Sequence, residues 1–194
     1  VIIFEVHVSR TDFITTRKIT MATASKKTAT KKAAPKPQEA TAMLKADHKA
    51  VSELFAAYEK ARAPSIKKKL VTKICTELAV HAQCEEEIFY PAVKAALKDK
   101  KLIPEAVVEQ ATMKDLIAQI EGKEPDGEMY DAKVKVLSEY VKHHVKEEHT
   151  EMFPMAKKTK LDMLALGAQL AARKKELMAQ RGQVVLARVR LTAA

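Results

Sequence analysis

Two copies of one chemical motif stand out in the sequence: His81 with Glu85 and His144 with Glu148, each a histidine followed four residues later by a glutamate. On a helix, residues four apart share a face. A single pair of this kind ordinarily marks a solvated surface ion pair. Here both pairs fall on the apolar stripe of their segments, where a carboxylate is costly unless paired or bound to metal. His48 lies on a third apolar stripe, and alone it reads as a satisfied core histidine. Together the five residues would bring three imidazoles and two carboxylates into one interior. Such a set suits iron, manganese or zinc, and no cysteine lies on these faces to favour an iron–sulfur or structural Cys-type zinc site. Two carboxylates can bridge two ions, so a dinuclear centre follows more naturally than a mononuclear one.

The motifs belong to an internal repeat. Residues 46–59, ADHKAVSELFAAYE, align at an offset of 62 with residues 108–121, VEQATMKDLIAQIE, acid on acid at Asp47 and Glu109. Residues 81–91, HAQCEEEIFYP, align at an offset of 63 with residues 144–154, HVKEEHTEMFP. The first alignment sets Gln110 against His48.

The elements that must position these groups read as helices from a 3.6-residue apolar period broken at Pro, Gly or Asp. The first, about 39–62, carries Leu44, His48, Val51, Phe55 and Tyr58 on one stripe. The second, about 65–97, carries Leu70, Ile74, Leu78, His81, Glu85, Ile88 and Ala92, with Pro91 expected to kink its last turns. The third, about 104–121, opens on Pro104, ends at Gly122 and carries Ala106, Gln110, Met113, Ile117 and Ile120. The fourth, about 128–157, aligns Tyr130, Val134, Leu137, Val141, His144, Glu148 and Met152, and a fifth, about 161–181, has Leu164, Leu170 and Leu177. Short links favour an all-α, antiparallel up-down-up-down four-helix bundle over residues 39–157 with a C-terminal helix over 158–181. Tyr58, Tyr90, Tyr140, Phe55, Phe89 and Phe153 stand at core spacing. His143 and His149 point about 100° away from the ligand face and read as flanking residues. Glu86, Glu87 and Glu147 read as a solvated face, with Glu86 a candidate accessory ligand.

Only 4 Gly and no Trp in 194 residues is poor material for a β-sandwich or a phosphate-cradling loop. The net charge of +10 is concentrated at the ends: residues 1–40 hold eight Lys/Arg against three acids, and residues 182–194 hold two Arg and no acid. Residues 1–38 read as a disordered Lys/Ala/Pro-rich tail, of which 1–20 are expected to be an upstream extension, and 182–194 as a second tail. The N-terminal tail lacks interleaved aromatics, so nucleic-acid binding through it would be nonspecific and salt-sensitive. Cys75 and Cys84, on opposite sides of one helix, cannot bridge. Free thiols, no secretory signal and no run of roughly 20 apolar residues lead to the expectation of a cytoplasmic protein with no membrane association.

The order His48, then His81 with Glu85, position 110, then His144 with Glu148, together with phrases such as CTELAVHAQCEEEIFYPA and YDAKVKVLSEYVKHHVKEE, resembles the hemerythrin-like, or HHE cation-binding, domains of bacteria. The resemblance covers about residues 40–157, and LGAQLAARKKELM in the fifth helix is similar to a C-terminal extension found there. It implies a bundle holding a non-haem di-iron centre that binds or senses oxygen or nitric oxide, or handles iron and peroxide. In that pattern the first two helices supply the histidines of one iron and the last two those of the other. Gln110 stands where the pattern has histidine, and a glutamine carbonyl is a poorer donor to such a metal. The second ion is therefore expected to bind more weakly. A binding module, with no catalytic residues assigned, is the leading expectation. The alternatives are a peroxide-decomposing or iron-oxidising enzyme of the same fold, or a tail-driven nucleic-acid-associated protein with a degraded metal site.

Overall fold

A computed structural model of the chain describes residues 38–98 and 101–192, with side chains to residue 183. The expected N-terminal tail, apart from Gln38, lies outside the described residues.

The apolar stripes become helices α1 (Ala40–Lys60), α2 (Pro64–Cys84), α3 (Tyr90–Ala96), α4 (Leu102–Ile120), α5 (Glu128–Glu147), α6 (Phe153–Lys157) and α7 (Met163–Thr192). Pro64 starts α2 at a position where its missing N–H costs nothing, and after α4 the chain turns at Gly122 with φ +74°. α1 packs on α2 and α4 on α5, with α2 against α4 and α1 against α5, closing an antiparallel four-helix bundle. α7 lies across α1 and α2 as a fifth helix.

Two π-helical turns, Glu85–Phe89 and Glu148–Met152, join α2 to α3 and α5 to α6. Each begins at the glutamate of a His-x-x-x-Glu pair and ends one residue before the helix that carries Pro91 or Pro154. A proline in an α-helix lacks the N–H for its own i−4 bond and clashes with that carbonyl. The widened turn shifts the bonding to i−5, with Tyr90 N–H on the Glu85 carbonyl and Phe153 N–H on the Glu148 carbonyl. The expected kink at Pro91 is thus a π-turn just before it. The extra residue also moves the stripe: Phe89, Tyr90 and Val93 are buried, whereas the expected Ile88 and Ala92 are only half-buried.

Further differences concern single residues. Tyr140 and Leu164, expected inside, are 43% and 57% exposed, and Leu166 takes the buried position in α7. α7 also runs to Thr192, past the residue 181 at which the periodic stripe ends. Val, Arg and Leu make up most of residues 182–192, with no proline to stop the helix, and one interior Gly182 costs only about 1 kcal/mol.

The fifth helix is held close by a glycine. A Cβ on Gly167 would stand 2.1 Å from the Gln38 carbonyl oxygen and 2.9 Å from the Ala40 nitrogen, so only glycine admits this contact between α7 and the start of α1. The bundle core has two apolar halves. One contains Leu44, Phe89, Ile103 and Phe153 with Leu170 of α7, and the other contains Val51, Phe55, Ile74, Ile117 and Leu137. Between them lies a polar layer.

Candidate metal centre

Each inward-facing helix contributes to that layer. His48 from α1, His81 from α2, Gln110 from α4 and His144 from α5 are all buried, and Glu85 and Glu148, the first residues of the π-turns, are fully enclosed. All six positions singled out in the sequence therefore meet in one interior. Heptad-like spacing on four helices brought them to one level, because each replaces an apolar residue in the stripe that faces the bundle axis.

One ligand atom from each of His48, His81, Glu85 and Glu148 can be chosen so that all four lie within 4.8 Å of one another. The His48 and His81 Nε2 atoms face each other at 2.9 Å. Glu85 Oε1 is 3.1 Å from His81 Nε2, and Glu148 Oε2 is 3.3 Å from His48 Nε2. Both of those carboxylate oxygens are buried without a hydrogen bond, which costs several kcal/mol of desolvation unless a cation answers them. Convergent imidazole nitrogens and two unsatisfied carboxylate oxygens are the donor set of a transition-metal ion, and the residues fit one. The charges show the same demand. Burial penalises the His81 imidazolium, yet the neighbouring Glu85, with Asp47 and Glu148, outweighs it and lifts the pKa to about 10. Burial likewise raises Glu85, and His81 together with the other imidazoles outweighs it and holds the carboxyl down to about 2. A proton on His81 thus stands where positive charge is wanted.

The imidazoles are gripped from outside. His144 Nδ1 donates to Glu109 at 2.7 Å and His48 Nδ1 pairs with His149 Nε2 at 2.9 Å, whereas Asp47 stands 3.6 Å from His81 Nδ1, at ion-pair distance and without a hydrogen bond. Such outer contacts orient metal-ligating rings with their other nitrogen turned inward. Asp47 is itself bound by Lys174 of α7 at 2.7 Å. Burial lowers the pKa of His149, with the His48 and Lys45 charges adding to the effect, which favours its neutral form. Sequence reading placed His149 beside the site and gave Asp47 and Glu109 no role. Their alignment in the repeat was the available signal.

The two halves are not equivalent. Gln110 donates its amide to Glu85 Oε2 at 2.7 Å and to the Tyr90 hydroxyl at 2.9 Å, while its carbonyl oxygen is buried and unbonded. The Tyr90 hydroxyl lies 3.0 Å from Glu148 Oε1, 3.2 Å from Glu85 Oε2 and 3.3 Å from His144 Nε2. Burial, reinforced by those two carboxylates, keeps Tyr90 a phenol well above its ordinary pKa. Tyr90 was expected only as core. The π-turn puts it five residues after Glu85 and directly beneath it. Its repeat mate, Phe153, has no hydroxyl and instead stacks on His48, with ring centroids 5.9 Å apart and planes 3° from parallel.

Glu86 pairs with Lys114 at 2.5 Å on the outside and does not reach the layer. His143 is exposed, between Glu109 and Glu147. A cavity of about 30 Å³ opens beside the layer, lined by His48, His81, Gln110 and His144 and by Val51, Leu78, Met113, Ile117 and Val141.

The description "Hemerythrin HHE cation binding domain" matches residues 39–156. The fold is similar to that of a hemerythrin HHE cation binding domain-containing protein from Mycobacterium kansasii, with TM-score 0.65 and 23% identity over 74% of this chain and 89% of that one. A protein of Nostoc sp. named DNA nickase is 29% identical over 111 residues, which are 57% of this chain and 31% of that protein. This chain thus matches about a third of that relative's length. Among the described residues, no helix is long and apolar enough to cross a membrane.

Proposed function

The chain belongs to the hemerythrin HHE cation-binding domain family, and on that premise we propose that it is a metal-binding module whose buried centre holds iron and takes a diatomic molecule or peroxide. The observation that carries this reading is the pair of orphaned carboxylate oxygens, Glu85 Oε1 and Glu148 Oε2, converging with two imidazole Nε2 atoms. His48, His81, Glu85 and Glu148 hold one ion tightly. His144 and the two glutamates would hold a second ion only weakly, because Gln110 and Tyr90 fill that side of the layer with hydrogen bonds. Iron bound there would supply redox chemistry and Lewis acidity; manganese or zinc would suit the same ligands without the same redox chemistry.

The protein's own groups do the rest. The cavity admits a ligand of about two heavy atoms, since one water-sized sphere takes roughly 10–15 Å³ of such volume. Its apolar wall of Val51, Leu78, Met113, Ile117 and Val141 excludes competing water. Tyr90 remains protonated and spends its O–H on the carboxylates of Glu148 and Glu85, while Gln110 fixes Glu85 by donating to it. A cytoplasmic setting suits two buried free thiols, Cys75 and Cys84.

Iron titration of the apoprotein, followed by Mössbauer and charge-transfer absorption, tests the reading. One tight and one weak iron per chain, with nitric oxide perturbing the spectrum, is expected. Two equivalent tight irons, or none, would overturn it. Peroxide turnover by iron-loaded protein, lost in His81→Ala, would move the reading to an enzyme. The basic residues 1–40 and the nickase-named relative favour a second, weaker proposal, nonspecific nucleic-acid association. A mobility shift that disappears on deleting that segment and weakens steeply with salt checks it.

A further inference from the structure

Outside the buried centre, two side chains with ligand chemistry and no role so far, His143 and Glu147, gather around the Glu109 that orients His144. His143 and Glu147, four apart on α5, meet Glu109 of α4 at the surface. The His143 Nε2 lies 3.2 Å from Glu109 Oε1 and 3.1 Å from Glu147 Oε1. Donors about 2.1 Å from a common ion stand roughly 3.0–3.4 Å apart at right-angled or tetrahedral coordination. His143 thus stands at ligand spacing from each carboxylate, and all three donor atoms lie within 4.8 Å of one another.

A comparison of the two repeats shows why a cation is wanted here. Asp47, the mate of Glu109, is neutralised by Lys174 at 2.7 Å, and Lys174 also touches Glu77. No lysine or arginine ion pair is recorded for Glu109 or Glu147 among the described residues; each meets a histidine instead. Glu105 and Glu151 add their negative charge to the field at Glu147. The His143 ring is 61% exposed, so an ion arriving from solvent meets it first.

We propose that Glu109, His143 and Glu147 form a surface site for a divalent cation of the zinc or iron(II) type, joined to the buried centre through the shared carboxylate of Glu109. Its Oε1 serves the outer ion while Oε2 holds His144 Nδ1 at 2.7 Å. The outer ligand set stands on its own residues, and only the connection inward rests on the function proposed above. With one imidazole, two carboxylates and water completing the shell, the site binds more weakly than a buried one and exchanges with solvent. It would serve as the place where an ion pauses beside the half of the centre that holds metal least firmly.

Zinc titration of the full chain tests this, with stoichiometry read by calorimetry and the imidazole signals of His143 read by NMR. Wild type should take up one zinc more than His143→Ala or Glu147→Gln, or bind that zinc about tenfold or more tightly. The His143 Nε2 signal should shift as it binds. Both substitutions are at the surface, and an unchanged circular dichroism spectrum verifies the fold. Equal stoichiometry and affinity in all three proteins, or zinc uptake that leaves the His143 signal unmoved, would overturn the proposal. Failure of the buried centre looks different: the tight equivalents would be missing while the increment that depends on His143 remained.

Discussion

The Gln110 amide donates to the Tyr90 hydroxyl at 2.9 Å, at the place where the repeat would put the mate of His48. One half of the layer therefore has imidazoles facing each other, and the other has an amide and a phenol tied to the same glutamates. The sequence repeat matches the two halves, and this chain fills the second with hydrogen bonds from Gln110 and Tyr90.

Replacing that pair should restore symmetry. In Gln110→His combined with Tyr90→Phe, the second iron is expected to tighten until two ions titrate together, seen as a single sharp break at two irons per chain. A variant that still shows one tight iron would mean that Gln110 and Tyr90 are not what weakens the second position. Without metal, Tyr90→Phe alone should cost about 1–3 kcal/mol in urea unfolding, because it leaves buried polar partners unmet.

Asp47 touches the layer only from outside. Asp47→Ala should lower metal affinity by about 10–100-fold in a chelator competition, as loss of an outer carboxylate does elsewhere. Lys174→Met should act in the same direction and less strongly, by freeing Asp47 to move. Unchanged affinity in both would remove α7 from any part in orienting His81.

Metal should also stabilise the fold. An ion at 100 times its Kd adds about 2.7 kcal/mol to the folded state, so chelation should lower the melting temperature reversibly. His81→Ala should abolish that difference. Equal melting temperatures with and without a bound stoichiometric ion would contradict the assigned centre.

The pH dependence can be read at the other end of the bundle. Asp131 has a lowered pKa, through its hydrogen bond from Lys67 and then that from Tyr58. A carboxyl held below its unfolded value contributes stability that is present above that value, about 3.9, and lost as pH falls through the folded one. The stability gap between wild type and Asp131→Asn should therefore be widest near neutral pH and close under acid. A constant gap across that range would show that the aspartate charge is not the cause.

Gly167 gives the packing test. Gly167→Ala drives a methyl into the backbone of Gln38 and Ala40 and should destabilise the fold by about 1–3 kcal/mol. A neutral effect would place α7 farther from α1 than the structure does.

The sequence by itself determined that there are five long helical segments, that the fold is a bundle, and which six polar residues make up its central layer. These follow from helical periodicity, which is local: a residue's neighbours at three and four positions away decide its face. Tertiary structure decided what those residues do to one another. Tyr90 and Phe153 occupy matching places in the repeat, yet one hydroxyl group makes the first a hub of the layer and leaves the second stacked on His48. The register that brings Tyr90 inward comes from a π-turn, because Pro91 deletes a hydrogen bond and the helix widens to recover it. Asp47 and Glu109 are matched acids in the sequence, and only packing gives one a lysine from α7 and the other a histidine. Contacts between residues far apart in the chain depend on where helices cross, and no spacing within a single helix encodes that.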